Sequence, residues 1–396
     1  MGRVLLGVSS SIAIYKACEL VRELRKAGHE VRVVLSPFSE RFISRLTFEA
    51  LSGHKAYVDW EEDPLLHINL PRWSDLFLIA PCSVNTLSKV ALGIGDNLLT
   101  TCALSHKGAL LVAPAGNVEM YKNPAVQENL RRLREREVTV IEPEEGKLLC
   151  EEEGQGRLAS VGRLLDWVEY ALRPKPLRGK KVLITAGATR EFIDSVRFIS
   201  NLSSGAMGFS LARVFRWYGA QVKVVAGFTT AEEPPEVEVL RVTSAQEMRE
   251  KVMELKDWAD IILMNAAVAD YRPSTSFLGK LKKEESLSLE LVKNPDILLE
   301  LGQQKGNKVL IGFALEEEEY LIKRGEEKLI RKNLDALVAN PLSVMGEKSY
   351  RGVLLLRDGR TFPLQAEDKL KSAEALLLTL TKELLKDLLQ VHLKPL

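Results

Sequence analysis

VLLGVSSSIAIYKACELVRELRKAGHEVRVVL, residues 4–35, runs from an apolar strand through a turn of small residues into an amphipathic helix and back to a strand. KVLITAGATREFIDSVRFISNLSSGAMGFSLARVFRWYGAQVKVVAG, residues 181–227, repeats the plan with a longer turn. Short continuous apolar runs suit buried strands, and the three-to-four-residue apolar spacing that follows suits a helix packed on them. A strand that turns at small residues into a helix points free backbone N–H groups at an anion. Two such starts predict two phosphate-binding sites and two reactions in one chain.

Outward from these stretches the same alternation continues. Val4–Leu6, Val31–Leu35, Leu76–Ile79, Ala109–Val112 and Val138–Ile141 read as the strands of the first half. Val182–Thr185, Val222–Val225, Ile261–Met264, Val309–Phe313 and Ala336–Ala339 read as those of the second. Strands that alternate with helices build a mostly parallel sheet covered on both faces. The expected fold class is α/β, with two Rossmann-like three-layer domains. Val353–Leu356 beside the turn Asp358-Gly359 predicts a late antiparallel hairpin. Residues 370–389 read as a terminal amphipathic helix, and the acidic run Glu316–Glu319 as a solvated face. The proline- and charge-rich stretch 173–181 is the expected linker, with domains at 1–172 and 182–396.

Composition narrows the function classes. The 396 residues suffice for two or three domains of roughly 150 residues. A net charge of +1 offers no global field to nucleic acid or to an anionic membrane. No apolar stretch approaches the roughly 20 residues that span a bilayer. The N-terminus enters a strand directly, so the cytoplasm is the expected location. Cys18, Cys82, Cys102 and Cys150 are scattered without a C-x-x-C pair, and the histidines are dispersed. A disulfide framework and a zinc site are both set aside.

The turns also argue against a nicotinamide dinucleotide. That fingerprint needs G-x-G-x-x-G and an acid roughly 20 residues on. Gly7-Val8-Ser9-Ser10-Ser11 lacks the later glycines, and its second strand ends at Leu35-Ser36. Thr185-Ala186-Gly187-Ala188-Thr189 fails in the same way, ending at Ala226-Gly227. A hydroxyl-rich turn suits a single phosphate monoester, as in FMN; plain N-capping by one serine accounts for the same residues.

Three further strand ends in the first half carry Ser, Asn and Asp. They are Ala80-Pro81-Cys82-Ser83-Val84-Asn85, Gly93-Ile94-Gly95-Asp96-Asn97-Leu98 and Pro114-Ala115-Gly116-Asn117-Val118-Glu119-Met120. With Gly7–Lys16, the first two resemble the FMN-binding segments of the flavoprotein family that decarboxylates C-terminal cysteine groups, and the third resembles its substrate-clamping segment. The resemblance covers residues 1–170 and implies a flavodoxin-like first domain. It implies cofactor contacts from Gly7, Ser9, Ser10, Ser11, Ser36, Ala80, Pro81, Ser83, Asn85, Asp96 and Asn97. It also implies His67 as active-site histidine, Asn117 as substrate clamp with Met120 beside it, and Cys150 as a proton donor over the substrate. Gly116 stands where that family's pattern has methionine. The implied chemistry oxidises a CH2–SH group so that the C=S bond serves as electron sink for loss of CO2.

In the second half, Thr189–Gly208 is far longer than the roughly 2–6 residues a structural turn requires. Asn265–Tyr271, the lysines of Gly279–Lys283, Lys293–Leu298, Gly312–Ala314 and Lys328–Asp335 follow. Together they resemble the phosphopantothenate–cysteine ligase family over residues 180–392. Ala188 and Ala206 replace that family's proline and lysine. The resemblance implies activation of 4′-phosphopantothenate by CTP and Mg2+ as an acyl-cytidylate, which cysteine then attacks. It implies Lys280 and Asn201 as catalytic, and Arg197, Ser203, Ser204 and Gly205 at the substrate. It implies nucleotide contacts from Met264, Asn265, Ala266, Asp270, Pro295, Asp296, Ile297, Leu298, Phe313, Lys328 and Lys332, with Mg2+ near Asp270.

The whole chain is thus similar to the bifunctional phosphopantothenoylcysteine decarboxylase/phosphopantothenate–cysteine ligase family of coenzyme A synthesis. That likeness implies homo-oligomers, with decarboxylase trimers, ligase dimers and a dodecamer. Two other readings stand beside it: a nicotinamide-dependent oxidoreductase with a duplicated domain, and a non-enzymatic flavin-binding regulator.

Overall fold

Parallel strand pairing organises both halves of the chain. A computed structural model describes residues 1–60, 63–147, 153–282, 287–344 and 349–386. The chain folds as two units, Met1–Arg173 and Pro174–Leu396. No helix among the described residues is long and apolar enough to cross a membrane.

The first unit runs β1 (Arg3–Val8), α1 (Tyr15–Lys26), β2 (Glu30–Leu35), α2 (Arg45–Ser52), β3 (Ala56–Tyr57), α3 (Leu66–Trp73), β4 (Leu76–Ser83) and α4 (Val84–Leu92). It continues with α5 (Leu98–Ser105), β5 (Ala109–Ala115), α6 (Val118–Lys122), α7 (Pro124–Glu135), β6 (Thr139–Val140), β7 (Glu144–Lys147), β8 (Glu153–Arg157) and α8 (Val161–Leu172). The sheet order is β3-β2-β1-β4-β5-β6, all parallel. Val4, Leu5, Leu6 and Val8 of β1 are all fully buried, as a central strand covered on both faces requires. Ala17, Leu20, Val21 and Leu24 form the buried stripe of α1. Gly7 leaves room for the neighbouring strand: a Cβ there would stand 2.9 Å from the Phe77 ring and 3.2 Å from Ile79.

The second unit runs β9 (Lys181–Ala186), β10 (Arg190–Phe192), β11 (Phe198–Ser200), α9 (Ala206–Trp217), β12 (Gln221–Ala226), β13 (Glu238–Arg241), α10 (Ala245–Leu255), β14 (Ile261–Met264), β15 (Tyr271–Pro273) and β16 (Leu291–Lys293). Then come α11 (Ile297–Gln303), β17 (Val309–Glu316), α12 (Leu321–Arg331), β18 (Ala336–Pro341), β19 (Tyr350–Leu356), β20 (Thr361–Ala366) and α13 (Lys369–Glu383). Its sheet order is β13-β12-β9-β14-β17-β18-β19-β20. The first six strands are parallel and repeat the order of the first sheet. β19 and β20 add the expected antiparallel hairpin.

Three details differ from the sequence reading. β4 and β5 run on to Ser83 and Ala115, through what read as turns; a bulge between Ile79 and Cys82 lets β4 carry a proline centrally. Residues 190–200 fold as a small antiparallel ribbon, β10 with β11. Glu316 is not on a solvated face: it is 6% exposed, because β17 continues to it and pairs it with Pro341. There its carboxylate accepts from Lys328 and Arg324 of α12.

Candidate functional site

At the point where the first strand order reverses, between β1 and β4, a cavity of about 1140 Å³ opens beyond the carboxyl ends of the strands. Open α/β sheets bind ligands at such crevices. The three serines after β1 divide their work. Ser9 is fully buried, donates to the Pro81 carbonyl at 2.8 Å and accepts from the Ser83 N–H at 2.7 Å. It ties two strand ends together behind the cavity. Ser11 caps the helical turn by accepting from the Ala13 N–H at 3.2 Å. Ser10 shares a 3.0 Å hydrogen bond with Ser36, which in turn meets Ser39 at 2.7 Å. Ser10, Ser11 and Ser36 all line the cavity.

Ser83, Asn85, Asp96, Asn97, Asn117 and Met120 line it too. Ser83, Asn97 and Asn117 cap α4, α5 and α6, so three helix N-termini converge there. Lys89 donates to Asp96 at 2.6 Å and holds that carboxyl below its usual range. Gly7, Ala80 and Pro81, like Ser9, lie outside the lining and shape it from behind.

The β7–β8 hairpin docks on this rim. The Gly116 N–H donates to the Gly156 carbonyl at 3.0 Å. A Cβ on Gly156 would fall 2.4 Å from the Gly116 oxygen. Lys16, 9% exposed, donates through Nζ to the Leu158 carbonyl at 2.8 Å. Burial, helped by nearby Arg157, pulls the Lys16 pKa down. Lys16 lies in the Gly7–Lys16 motif, and nothing local in the sequence marks its partner 142 residues away. Cys150 lies outside the described residues. Burial pushes up the other thiols, Cys18, Cys82 and Cys102, the last to about 12.

His67 sits on α3 and does not line the cavity of its own chain. Its Nδ1 accepts from the Trp60 indole N–H at 3.0 Å. Trp60 carries no signal in the sequence, since the pairing crosses a turn.

The β9/β14 reversal in the second unit is built differently. Its two turns are stitched together: the Ala267 N–H donates to the Gly187 carbonyl at 2.8 Å and the Thr189 N–H to Ala267 at 3.3 Å. The Thr189 and Thr185 hydroxyls accept from the Ala269 and Ala266 N–H groups, each at 3.0 Å. Asn201 reaches the same turn, donating to the Val268 carbonyl at 3.2 Å. Gly205 opens α9 with φ 77°, where a Cβ would stand 2.4 Å from Thr229. Only glycine satisfies both constraints. The Ser203 and Ser204 hydroxyls face the Gly205 and Ala206 N–H groups at 3.4 Å.

Asp194, 1% exposed, joins this loop to the lysine segment. Its carboxylate accepts from the Val196, Arg197 and Leu281 N–H groups at 2.8, 2.7 and 3.1 Å and pairs with the Arg197 guanidinium. Burial pushes its pKa up, but these N–H groups and Arg197 outweigh it and hold it at about 2. Gly279 bonds to Ser195 in both directions, so exposed Lys280 is gripped on either side.

Met264 ends β14 and Asn265 follows it, and the Asp270 carbonyl accepts from the Asn294 N–H at 2.8 Å. This brings Pro295–Leu298 beside that turn. Asp296 caps α11, whose Ile297 is buried, and accepts from Lys332 at 2.8 Å. Phe313 is half-buried on β17. Among the described residues no hydrogen bond joins Lys280 to Asp270, and no group of three His, Cys, Asp or Glu side chains gathers to hold a metal.

Known proteins match the two units in the same order. The Flavoprotein family model matches residues 2–173, and the model for the DNA/pantothenate metabolism flavoprotein C-terminal domain matches residues 177–384. The coenzyme A biosynthesis bifunctional protein CoaBC of Bacillus subtilis (strain 168) is 42% identical over 352 residues, covering 87% of this chain and 86% of its own. The solved C-terminal domain of a CoaBC protein is 36% identical, covering 54% of this chain and 99% of that one, with a TM-score of 0.47. The FMN binding protein AtHal3 is 35% identical, covering 42% of this chain and 94% of that one, with a TM-score of 0.38. One relative therefore accounts for both units together, and the chain belongs to the family of bifunctional coenzyme A biosynthesis proteins, CoaBC.

Proposed function

We propose that the second unit ligates cysteine to 4′-phosphopantothenate at the expense of CTP, and that the first unit decarboxylates the product with FMN. The observation that carries the decarboxylase part is the hydroxyl- and amide-lined cavity at the β1/β4 reversal of the first unit. Its volume, about 1140 Å³, exceeds the roughly 300–1,000 Å³ of a site for one drug-sized ligand. That is room for a flavin and a substrate side by side.

The donor set fits the cofactor. Ser10, Ser11 and Ser36 with the free N–H groups of the helical turn hold a phosphate monoester. Ser83, Asn85, Asp96 and Asn97 offer hydrogen bonds to the ribityl chain and ring, while Gly7, Ser9, Ala80 and Pro81 set the backbone behind them. FMN held there would supply a reversible hydride acceptor for the substrate's CH2–SH group. Asn117 and Met120 hold the substrate at the cavity mouth, and Cys150 supplies the proton that completes the product. His67 reaches this cavity from a second copy of the chain, in trimers. Exposed Ile12, Tyr15 and Phe38 at the cavity give such an assembly apolar surface to cover.

In the second unit, Lys280 stabilises charge on the phosphorus as the substrate carboxylate attacks. Arg197, Ser203, Ser204 and the amide N–H groups at Gly205 hold the substrate's phosphate, and Asn201 orients the activated acyl group. Met264, Asn265, Ala266, Asp270, Pro295–Leu298, Phe313, Lys328 and Lys332 surround the nucleotide. A Mg2+ ion with few protein ligands, Asp270 among them, suits a site where the triphosphate supplies the rest. This unit pairs as a dimer.

The test supplies the purified chain with 4′-phosphopantothenate, cysteine, Mg2+ and one nucleotide at a time. Pyrophosphate release with CTP, then CO2 release, is the expected sequence. Absence of pyrophosphate with every nucleotide removes the ligase reading. His67→Asn should abolish CO2 release and spare pyrophosphate; Lys280→Gln should do the reverse when the ligation product is supplied.

A further inference from the structure

We infer that Trp60 fixes the tautomer of His67, so that His67 serves as a hydrogen-bond donor through Nε2 and not as a base. The inference rests on the reading that His67 acts in decarboxylation. An indole N–H can only donate. With Trp60 Nε1 3.0 Å from His67 Nδ1, that ring nitrogen must present its lone pair. The neutral imidazole then carries its proton on Nε2. A base needs a bare Nε2, and that tautomer would set the Nδ1 proton against the indole proton.

The arrangement is built from several contacts. The two rings meet edge to face, 6.1 Å between centroids and 67° between planes. Asp63 turns the chain back between them: its N–H donates to the Trp60 carbonyl at 3.2 Å. Its carboxylate accepts from the Leu65 N–H at 2.8 Å and the Asn69 side chain at 3.0 Å. The Ser105 hydroxyl of α5 donates to the His67 carbonyl and fixes the first turn of α3. His67 Nε2 has no hydrogen-bond partner among the described residues, so its N–H is the group left to face a ligand. An N–H donor attracts negative charge: the substrate carboxylate, and then the sulfur as it takes up the electron pair of the breaking C–C bond. Nε2 keeps its proton throughout.

Solid-state NMR of the full chain with 15N-labelled histidine reads the tautomer directly, with the His67 signals assigned by their loss in His67→Asn. The expected pattern is a bare Nδ1 and a protonated Nε2. Trp60→Phe keeps an aromatic edge but no donor, and should mix the two tautomers. A protonated Nδ1 in the wild type, or an unchanged spectrum in Trp60→Phe, overturns the inference. Kinetics read the role. The amide N–H of His67→Gln reaches the Nε2 position, so this variant should keep CO2 release within about 100-fold of wild type, whereas His67→Asn should leave none detectable. Equal losses overturn the donor assignment. Wild-type CO2 release in His67→Asn would instead refute the site reading while leaving the tautomer measurement in force.

Discussion

Asp194 shows how a single residue links loop geometry to chemistry. Its carboxylate holds the turn at Val196–Arg197 and, through the Leu281 N–H, the segment that carries Lys280. Asp194→Asn keeps the shape but replaces one acceptor oxygen by a donor, which loosens Lys280 without removing it. Misplacement of a catalytic group by about 1 Å costs on the order of 100-fold in rate. Pyrophosphate release should fall by about that factor, with CO2 release from supplied product unchanged. The pH dependence has a definite sign. A carboxyl held at about 2 when folded and near about 3.9 when unfolded stabilises the fold in full above pH 4 or so. The contribution is withdrawn as pH falls toward about 2. Melting temperatures of wild type and Asp194→Asn should therefore converge over that window, and parallel curves would exclude Asp194 as the source. Asp194 falls within the overlong Thr189–Gly208 stretch without a legible role, because its decisive partner lies 87 residues away. His67 was legible as a motif; Trp60, which donates to its Nδ1, was not.

Among elements, the β7–β8 hairpin depends on one backbone approach. Gly156 passes so close to Gly116 that a methyl group would meet its oxygen at 2.4 Å, against backbone that cannot yield. Gly156→Ala should push β8 off β5 and cost about 1–3 kcal/mol, the usual range for overpacking. Urea unfolding of the first unit measures that loss, and CO2 release should fall while pyrophosphate release stays. Strands and helices of this kind were readable wherever apolar spacing marked them, as in β1, α1 and β14. The strand ends were less so: β4 and β5 continue through Pro81 and Pro114, residues that sequence reading takes as turn signals. The ribbon β10–β11 was equally hidden. Phe192 and Phe198 flank it as exposed rings, and no buried stripe announces them.

At the scale of the molecule, the two units have separate sheets and separate cores. Calorimetry should resolve two transitions, of which only the first responds to FMN. At a free concentration 100 times Kd, binding adds about 2.7 kcal/mol, a rise of roughly 5–10 °C for a unit of this size. A single transition, or two that move together, would contradict independent units. The double start was visible in the sequence; the contrast between an open first reversal and a stitched second one was not, because it resides in hydrogen bonds such as Ala267 to Gly187. A net charge of +1 leaves little long-range field to collect anions, so discrimination among them falls to local contacts. Lys328 and Lys332 already hold carboxylates, Glu316 and Asp296. An incoming anion must compete with a partner in place, and inorganic phosphate or sulfate is a poor competitor against two such contacts at once. Only a polyanion long enough to engage both lysines would displace both acids, so at the proposed nucleotide site the paired charges would work as an exclusion filter against small anions.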